Sequence, residues 1–192
     1  VLSQPSGSLP ATLGKVINGG ETVIELGCGY GINLHRLNKE YPDCDYIGGE
    51  FSDNAVQIAS TLYDDQANIT VEKFNYYDDD WGIFNREFES GLVVFTRHSI
   101  EQLPQFESII ETFHRSIGSG LRAVIHLEPV YEMHNTKSML QLLRKKYTQI
   151  NDYNQDLLTV LKADDKVIID STKYDIGGSA LNPTSLVRWH PA

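Results

Sequence analysis

Cysteine is nearly absent from this chain: Cys28 and Cys44 are the two in 192 residues, and their spacing is not that of metal ligands. A cysteine-built metal centre is excluded, and no set of His, Asp and Glu has zinc-like spacing either. Positive charge is scarce as well, with 16 Lys and Arg against 26 Asp and Glu and a formal net charge of −10. Binding to nucleic acid is driven by clustered cations that displace counterions from phosphates, so nucleic acid is not an expected partner. The single basic run, Arg144, Lys145 and Lys146, falls in a helical stretch and reads as a solvated face. Also missing are an apolar run near the roughly 20 residues that span a bilayer and the basic start and apolar centre of a signal peptide. The expectation is no membrane partner and a cytoplasmic protein. The Walker P-loop and the G-x-S-x-G elbow of serine hydrolases are absent, as are internal repeats, low-complexity tracts and interdomain linkers. At 41% hydrophobic and 22% charged, the 192 residues suit one domain, 1–192, with a sizeable core. The chain opens on Val1 rather than methionine, so further residues are expected upstream.

What the sequence does contain is glycine at one informative place. Val23, Ile24 and Leu26 have the apolar, β-branched-rich character of a parallel strand buried on both faces, interrupted by Glu25. Gly27, Gly29 and Gly31 follow, and without Cβ atoms they let the backbone take positive φ and bring its N–H groups close to a ligand. A dinucleotide-binding turn wants G-x-G-x-x-G, with its third glycine where the helix receives a pyrophosphate; here that position is Ile32. A second strand over 45–49 then runs into Glu50. An acidic residue at that point of an open α/β sheet can accept both hydrogen bonds of a ribose diol, or can simply precede a helix capped by Ser52 or Asp53.

The order Glu25, Gly27, Gly29, Gly31 resembles the first motif, E/D-x-G-x-G-x-G, of the class I S-adenosylmethionine (SAM)-dependent methyltransferases, and Glu50 resembles their ribose-binding acid. The resemblance implies SAM as cofactor. Glu25 and the glycine N–H groups would hold its methionine part, Glu50 its ribose, and Asn75 or Asp78, competing for one role after the third strand, its adenine. Cys28, Phe51 and Thr96 count among the cofactor contacts on the same grounds, although Cys28 also suits a small packing residue. Tyr76, Tyr77 and Trp81 are candidates for the apolar wall beside the ring.

Strands alternate with helices along the chain, the mark of a doubly wound, mostly parallel α/β sheet. An arm over 3–10 leads into a helix over 11–18. Strands are expected over 22–26, 45–49, 69–76, 91–96 and 121–127, with helices over 32–39, 54–62 and 104–117. A long helical region over 136–162, part of a substrate-side insertion at about 130–163, precedes two last strands over 166–171 and 185–189. Their connection, through 175–178 and 182–183, is too short for a crossover helix. They read as an antiparallel hairpin, which the resemblance turns into the seven-stranded, Rossmann-like methyltransferase fold with the last strand inserted beside the fifth.

The fourth strand emerges at the same edge as the glycine turn, into Thr96, Arg97, His98, Ser99, Ile100, Glu101 and Gln102. His98 and Glu101 are the catalytic candidates, because a neutral imidazole near pH 7 can take a proton from a hydroxyl acceptor. Glu101 can instead orient His98, and Ser99 with Gln102 can be a helix-capping pair. Gln102, Glu128 and Tyr131 are the substrate-binding candidates, with weaker support for His134. His126 points deeper into the sheet and suits packing. The polar clusters at 151–154 and 182–185 have no assigned role.

Together these readings imply a SAM-dependent methyltransferase acting on a small-molecule or sugar hydroxyl, or on an amine. The alternatives are a non-catalytic SAM-binding or scaffold domain and a nicotinamide-dependent oxidoreductase.

Overall fold

The computed structural model describes residues 9–192; residues 3–8 of the expected arm lie outside them. Among the described residues, seven strands form one sheet: β1 (Thr22–Leu26), β2 (Asp45–Glu50), β3 (Ile69–Lys73), β4 (Leu92–Arg97), β5 (Leu121–Glu128), β6 (Val167–Gly178) and β7 (Pro183–Pro191). Their order is β3-β2-β1-β4-β5-β7-β6. The first five are parallel, and β7 runs antiparallel between β5 and β6. The helices are α1 (Leu9–Leu13), α2 (Ile32–Glu40), α3 (Asp53–Leu62), α4 (Glu107–Ser116), α5 (Met139–Ile150) and α6 (Leu157–Ala163).

Alternation along each strand builds two cores, one on each side of the sheet. Ile24, Leu26, Val94 and Val124 face one side with Trp81, Phe106 and Phe113. Val23, Val93, Phe95, Ile125 and Leu127 face the other with Leu13, Leu34, Leu37 and Ala59. Strand order reverses between β1 and β4, and the crevice at the carboxyl ends of these strands is where an open α/β sheet receives its ligand.

Several boundaries differ from the sequence expectation for identifiable reasons. The first helix is Leu9–Leu13 rather than 11–18. β3 stops at Lys73, after which Phe74 still donates to the Glu50 carbonyl at 3.0 Å before the chain turns. A 3₁₀ turn, Ile100–Gln102, follows β4, and α4 starts at Glu107. The long helical region is two helices, because the buried Asn154 side chain breaks it. Its Oδ1 accepts the Leu157 N–H at 2.9 Å and caps α6, while its Nδ2 donates to the Leu103 carbonyl at 2.9 Å. The hairpin strands are longer than expected, since Gly177 and Gly178 pair with Thr184 and Pro183.

Candidate functional site

Gly27, Gly29 and Gly31 all take left-handed φ, at 77°, 56° and 71°. A Cβ on Gly27 would lie 1.9 Å from Ser99 Oγ, so the segment after β4 can approach the turn only because this residue is glycine. A Cβ on Gly29 would meet nothing within 4 Å, and its Cα faces open space. The amides of the turn are nevertheless taken up inside the protein. Gly27 and Cys28 donate to the Gly49 carbonyl at 2.8 and 3.0 Å, and Gly31 donates to the Cys28 carbonyl at 3.0 Å. Gly29 donates to Glu50 Oε2 at 2.8 Å. The expected ring of ligand-facing glycine N–H groups is thus replaced by a turn tied to β2 and presenting Glu50.

Glu50 Oε1 accepts the Ser52 N–H at 2.8 Å, so one backbone donor holds each oxygen. A carboxylate has about four lone-pair sites, and the remaining capacity lies at the cleft. This cleft, about 520 Å³, runs from Gly27, Gly29, Glu50 and Phe51 past Phe74, Asn75, Tyr76 and Tyr77 to His98, Ser99, Gln102 and Leu103. Asn75 reaches it and Asp78 does not: Asn75 Nδ2 donates to Asp78 Oδ1 at 2.8 Å, so Asp78 orients the amide. Phe51 and Tyr77 form its rim, each 66% exposed. Trp81 is a core residue packed edge-on to Phe74 and Tyr76, not part of the wall.

Glu25 is fully buried, two residues before the turn. Asn33 Nδ2 donates to its Oε1 at 2.6 Å, and Arg97 in turn donates to Asn33 Oδ1 at 3.1 Å. Glu25 Oε2 has no partner among the described residues. Burial pushes this carboxyl up to about 8, against the Asn33 hydrogen bond and the Arg97 charge.

His98 sits in the cleft wall at φ 51°, a left-handed conformation unusual for a residue with a Cβ. Its Nδ1 lies 3.0 Å from Glu101 Oε2, and its Nε2 lies 2.7 Å from Thr184 Oγ1. Asn182 Nδ2 also donates to Glu101 Oε2 at 3.0 Å. The Glu101 hydrogen bond holds the His98 pKa above its usual value, outweighing burial. The expectation of a free imidazole is therefore corrected: both ring nitrogens are engaged, by Glu101 and by Thr184, and Glu101 shifts the ring toward its charged form. Glu101 is buried behind His98 and orients it.

Five further candidates are corrected by their partners. Glu128 does not face an acceptor: its carboxylate takes the N–H groups of Ser99 (3.2 and 3.1 Å), Ile100 (3.3 Å) and Glu101 (3.3 Å), capping the 3₁₀ turn from β5. Burial pushes it up to about 7. That carboxylate replaces the expected Ser99 cap, and Ser99 Oγ lies 3.0 Å from the Tyr76 hydroxyl instead. Thr96 Oγ1 is 3.0 Å from His126 Nδ1, inside the sheet layer, where Trp189 donates to the other ring nitrogen. Cys28 Sγ fills the space beside Gly48, and burial pushes its thiol up. Tyr131 packs under Lys145 and accepts from Gln149 at 3.0 Å, outside the cleft lining. His134 is buried against the Tyr174 hydroxyl at 3.1 Å.

Sequence reasoning passed over Asn33, Arg97, Leu103, Asn182 and Thr184. The polar interruption at 182–185 was the available signal for the last two, but nothing local ties it to a strand end far away in sequence. A wider groove, about 660 Å³, lies between α4 and α6, where His114 and Asp164 pair with each other at 2.7 Å.

The family model described as a methyltransferase domain matches residues 6–162. Among solved structures, a SAM-dependent methyltransferase from Aquifex aeolicus superposes with a TM-score of 0.63 at 13% identity, covering 100% of this chain and 95% of that one. An O-methyltransferase family 2 protein from Planctomyces limnophilus, in complex with apigenin, gives 0.65 at 12% identity. The match covers 99% of this chain and 55% of that one, so the chain spans about half that protein's length. The N-methyltransferase NodS from Bradyrhizobium japonicum, in complex with S-adenosyl-L-homocysteine, gives 0.61 at 11% identity over 93% and 81% of the two chains. No curated protein matches the chain.

Proposed function

The chain belongs to the methyltransferase-domain family, with S-adenosyl-L-methionine as its cofactor, and from that premise we propose that it methylates a hydroxyl or amine of a small-molecule or sugar acceptor. The observation that carries this reading is Glu50, held by one backbone donor on each oxygen at the mouth of the cleft and retaining capacity for a ribose diol. Three features fit the cofactor. Gly29 leaves open the space a Cβ would fill, the buried and unpartnered Glu25 Oε2 suits an ammonium group, and Asn75 with Phe51 and Tyr77 suits a flat, hydrogen-bonding base.

When bound, SAM supplies a methyl group on a sulfonium, open to in-line displacement. The protein's part is positioning, which can supply much of the rate of such a transfer. His98, Ser99, Gln102 and Leu103 form the wall that meets the glycine turn at Gly27 and orient the acceptor. For a hydroxyl acceptor, the neutral form of His98, its Nδ1–H held by Glu101, takes the proton at Nε2 after Nε2 exchanges Thr184 for the substrate. For an amine, the acceptor arrives neutral and the wall has only to hold it in line.

Calorimetric titration of SAM and S-adenosylhomocysteine into wild type and Glu50→Ala tests the reading. Expected is clear binding by wild type and about a hundredfold loss in the variant, as for removing a charged acceptor of two hydrogen bonds. A folded wild-type protein that binds neither compound overturns it. If binding is found, methyl transfer to panels of phenols, sugars and amines identifies the acceptor class.

A further inference from the structure

α5 is built inside out. The side chains it buries are Arg144 and Thr148, while Met139 (72% exposed), Ile150 (70%), Leu143 (49%), Leu142 (44%) and Leu140 (43%) stand in solvent. An ordinary surface helix buries its apolar stripe. The inversion has a cause: the Arg144 guanidinium is anchored on the C-terminal hairpin, with Nε donating to the Ala180 carbonyl at 2.8 Å and an Nη donating to the Tyr174 hydroxyl at 2.6 Å and to Asp175 at 2.9 Å. Thr148 closes the same face by donating to the Arg144 carbonyl at 3.1 Å. With that fork fixed, the leucines point outward.

Charge narrows what the outward face can meet. The chain as a whole is acidic at −10, yet no Asp or Glu occurs from Met133 to Asn151, where Lys137, Lys145 and Lys146 fall besides the inward-facing, ion-paired Arg144. Lys146 lies three or four residues from Leu142, Leu143 and Ile150, so a cation stands within the apolar patch and not merely at its border. A second copy of this chain would lay that cation against an equally acid-free helix. A surface that is both apolar and anionic matches the pattern, with the lysine stem lying along the apolar layer and its ammonium reaching the head groups. The patch is on the order of 500 Å², near the upper end of what monomers leave exposed. It also lies at the sheet's carboxyl edge, the edge that carries the cleft, because α5 rests on the hairpin tip and on the turn after β5.

We propose that the outward face of α5 docks this protein onto an anionic lipid surface, lying in the interface rather than crossing it. No helix among the described residues is long and apolar enough to span a membrane, and adsorption of this kind does not require one. The cleft then opens beside the lipid, where apolar acceptors concentrate.

Co-sedimentation with vesicles of phosphatidylcholine alone or mixed with phosphatidylglycerol tests the proposal, using wild type, Leu143→Glu and Lys146→Gln. Wild type is expected to sediment with the mixed vesicles, to remain largely in solution with phosphatidylcholine alone, and to be released by salt. Lys146→Gln should weaken binding about fivefold, the usual share of one lysine near an anionic surface. Leu143→Glu should weaken it at least tenfold. SAM binding, measured in parallel, should be unchanged in both variants, which separates failure of docking from failure of the cofactor site or of folding. The proposal is overturned if wild type ignores the mixed vesicles, if Leu143→Glu still sediments, or if both vesicle types bind equally. A dimer in light scattering that Leu143→Glu dissociates, without vesicle binding, would assign the face to a second copy instead.

Discussion

Glu50 and Glu128 are two carboxylates at the ends of parallel strands of one sheet, and they do opposite things. Glu50 is held by two backbone N–H groups and borders open space; Glu128 is buried and takes three backbone N–H groups of the turn at 99–101. The half of the crevice built by β1 and β2 keeps unused polar capacity, in Glu50 and in Glu25 Oε2. The half built by β4, β5 and the hairpin directs its polar groups at one another, His98 to Glu101 and Thr184, and Glu101 to Asn182. Spare hydrogen-bonding capacity belongs to the first half, and mutual pairing of polar groups to the second.

The contrast can be broken at five places. Glu128→Ala should have the largest effect, lowering stability by about 3 kcal/mol in denaturant titrations, because buried backbone donors lose their acceptor at roughly 1–3 kcal/mol each with partial relaxation. Glu50→Ala should leave the denaturation midpoint nearly unchanged while costing roughly 2–3 kcal/mol of SAM binding. Equal stability losses in the two variants would erase the distinction between the halves.

A third test sharpens it through pH. The unfolded chain releases the Glu25 proton near 4.5, whereas the folded protein keeps it to about 8. Stability linked to this group is full below 4.5 and is lost as pH rises through that window. Denaturation midpoints of Glu25→Gln should show this decline removed. The smallest effect is expected for Thr184→Val, about 1 kcal/mol or less. Here the informative readout is the NMR titration of His98, whose folded pKa is raised by Glu101, so that the pair stabilises fully below 6.5 and loses its contribution as pH rises past the folded value. Glu101→Gln should remove most of that elevation, and Thr184→Val little of it.

Much of the fold was legible because its signals are local. Val23, Ile24 and Leu26 mark a buried strand, the glycines mark the turn, and a connection too short for a crossover forces β6 and β7 antiparallel. That Glu50 and Gly29 line one cleft was legible for the same reason. The wall was not. His98 looked like a free base because Thr184, its partner, and Asn182, the partner of Glu101, arrive from a hairpin more than eighty positions away in sequence. Glu128 looked like an acceptor ligand because strand-end position alone does not say whether a carboxylate turns outward or caps a neighbouring turn. The basic run at 144–146 read as a solvated face, yet Arg144 is buried, since guanidinium anchoring on the hairpin overrides the apolar periodicity of α5.

The position of β7 has a consequence for how the molecule is made. It is the seventh strand to be synthesised, yet it fills an interior place between β5 and β6. Until it arrives, β5 presents a bare, apolar edge and β6 has no neighbour, so a nascent chain carries an adhesive edge from the completion of β5 until β7 is made. The same late strand brings Thr184 to His98. Closure of the sheet and completion of the cleft wall are therefore one event, and an incompletely folded chain lacks the finished wall.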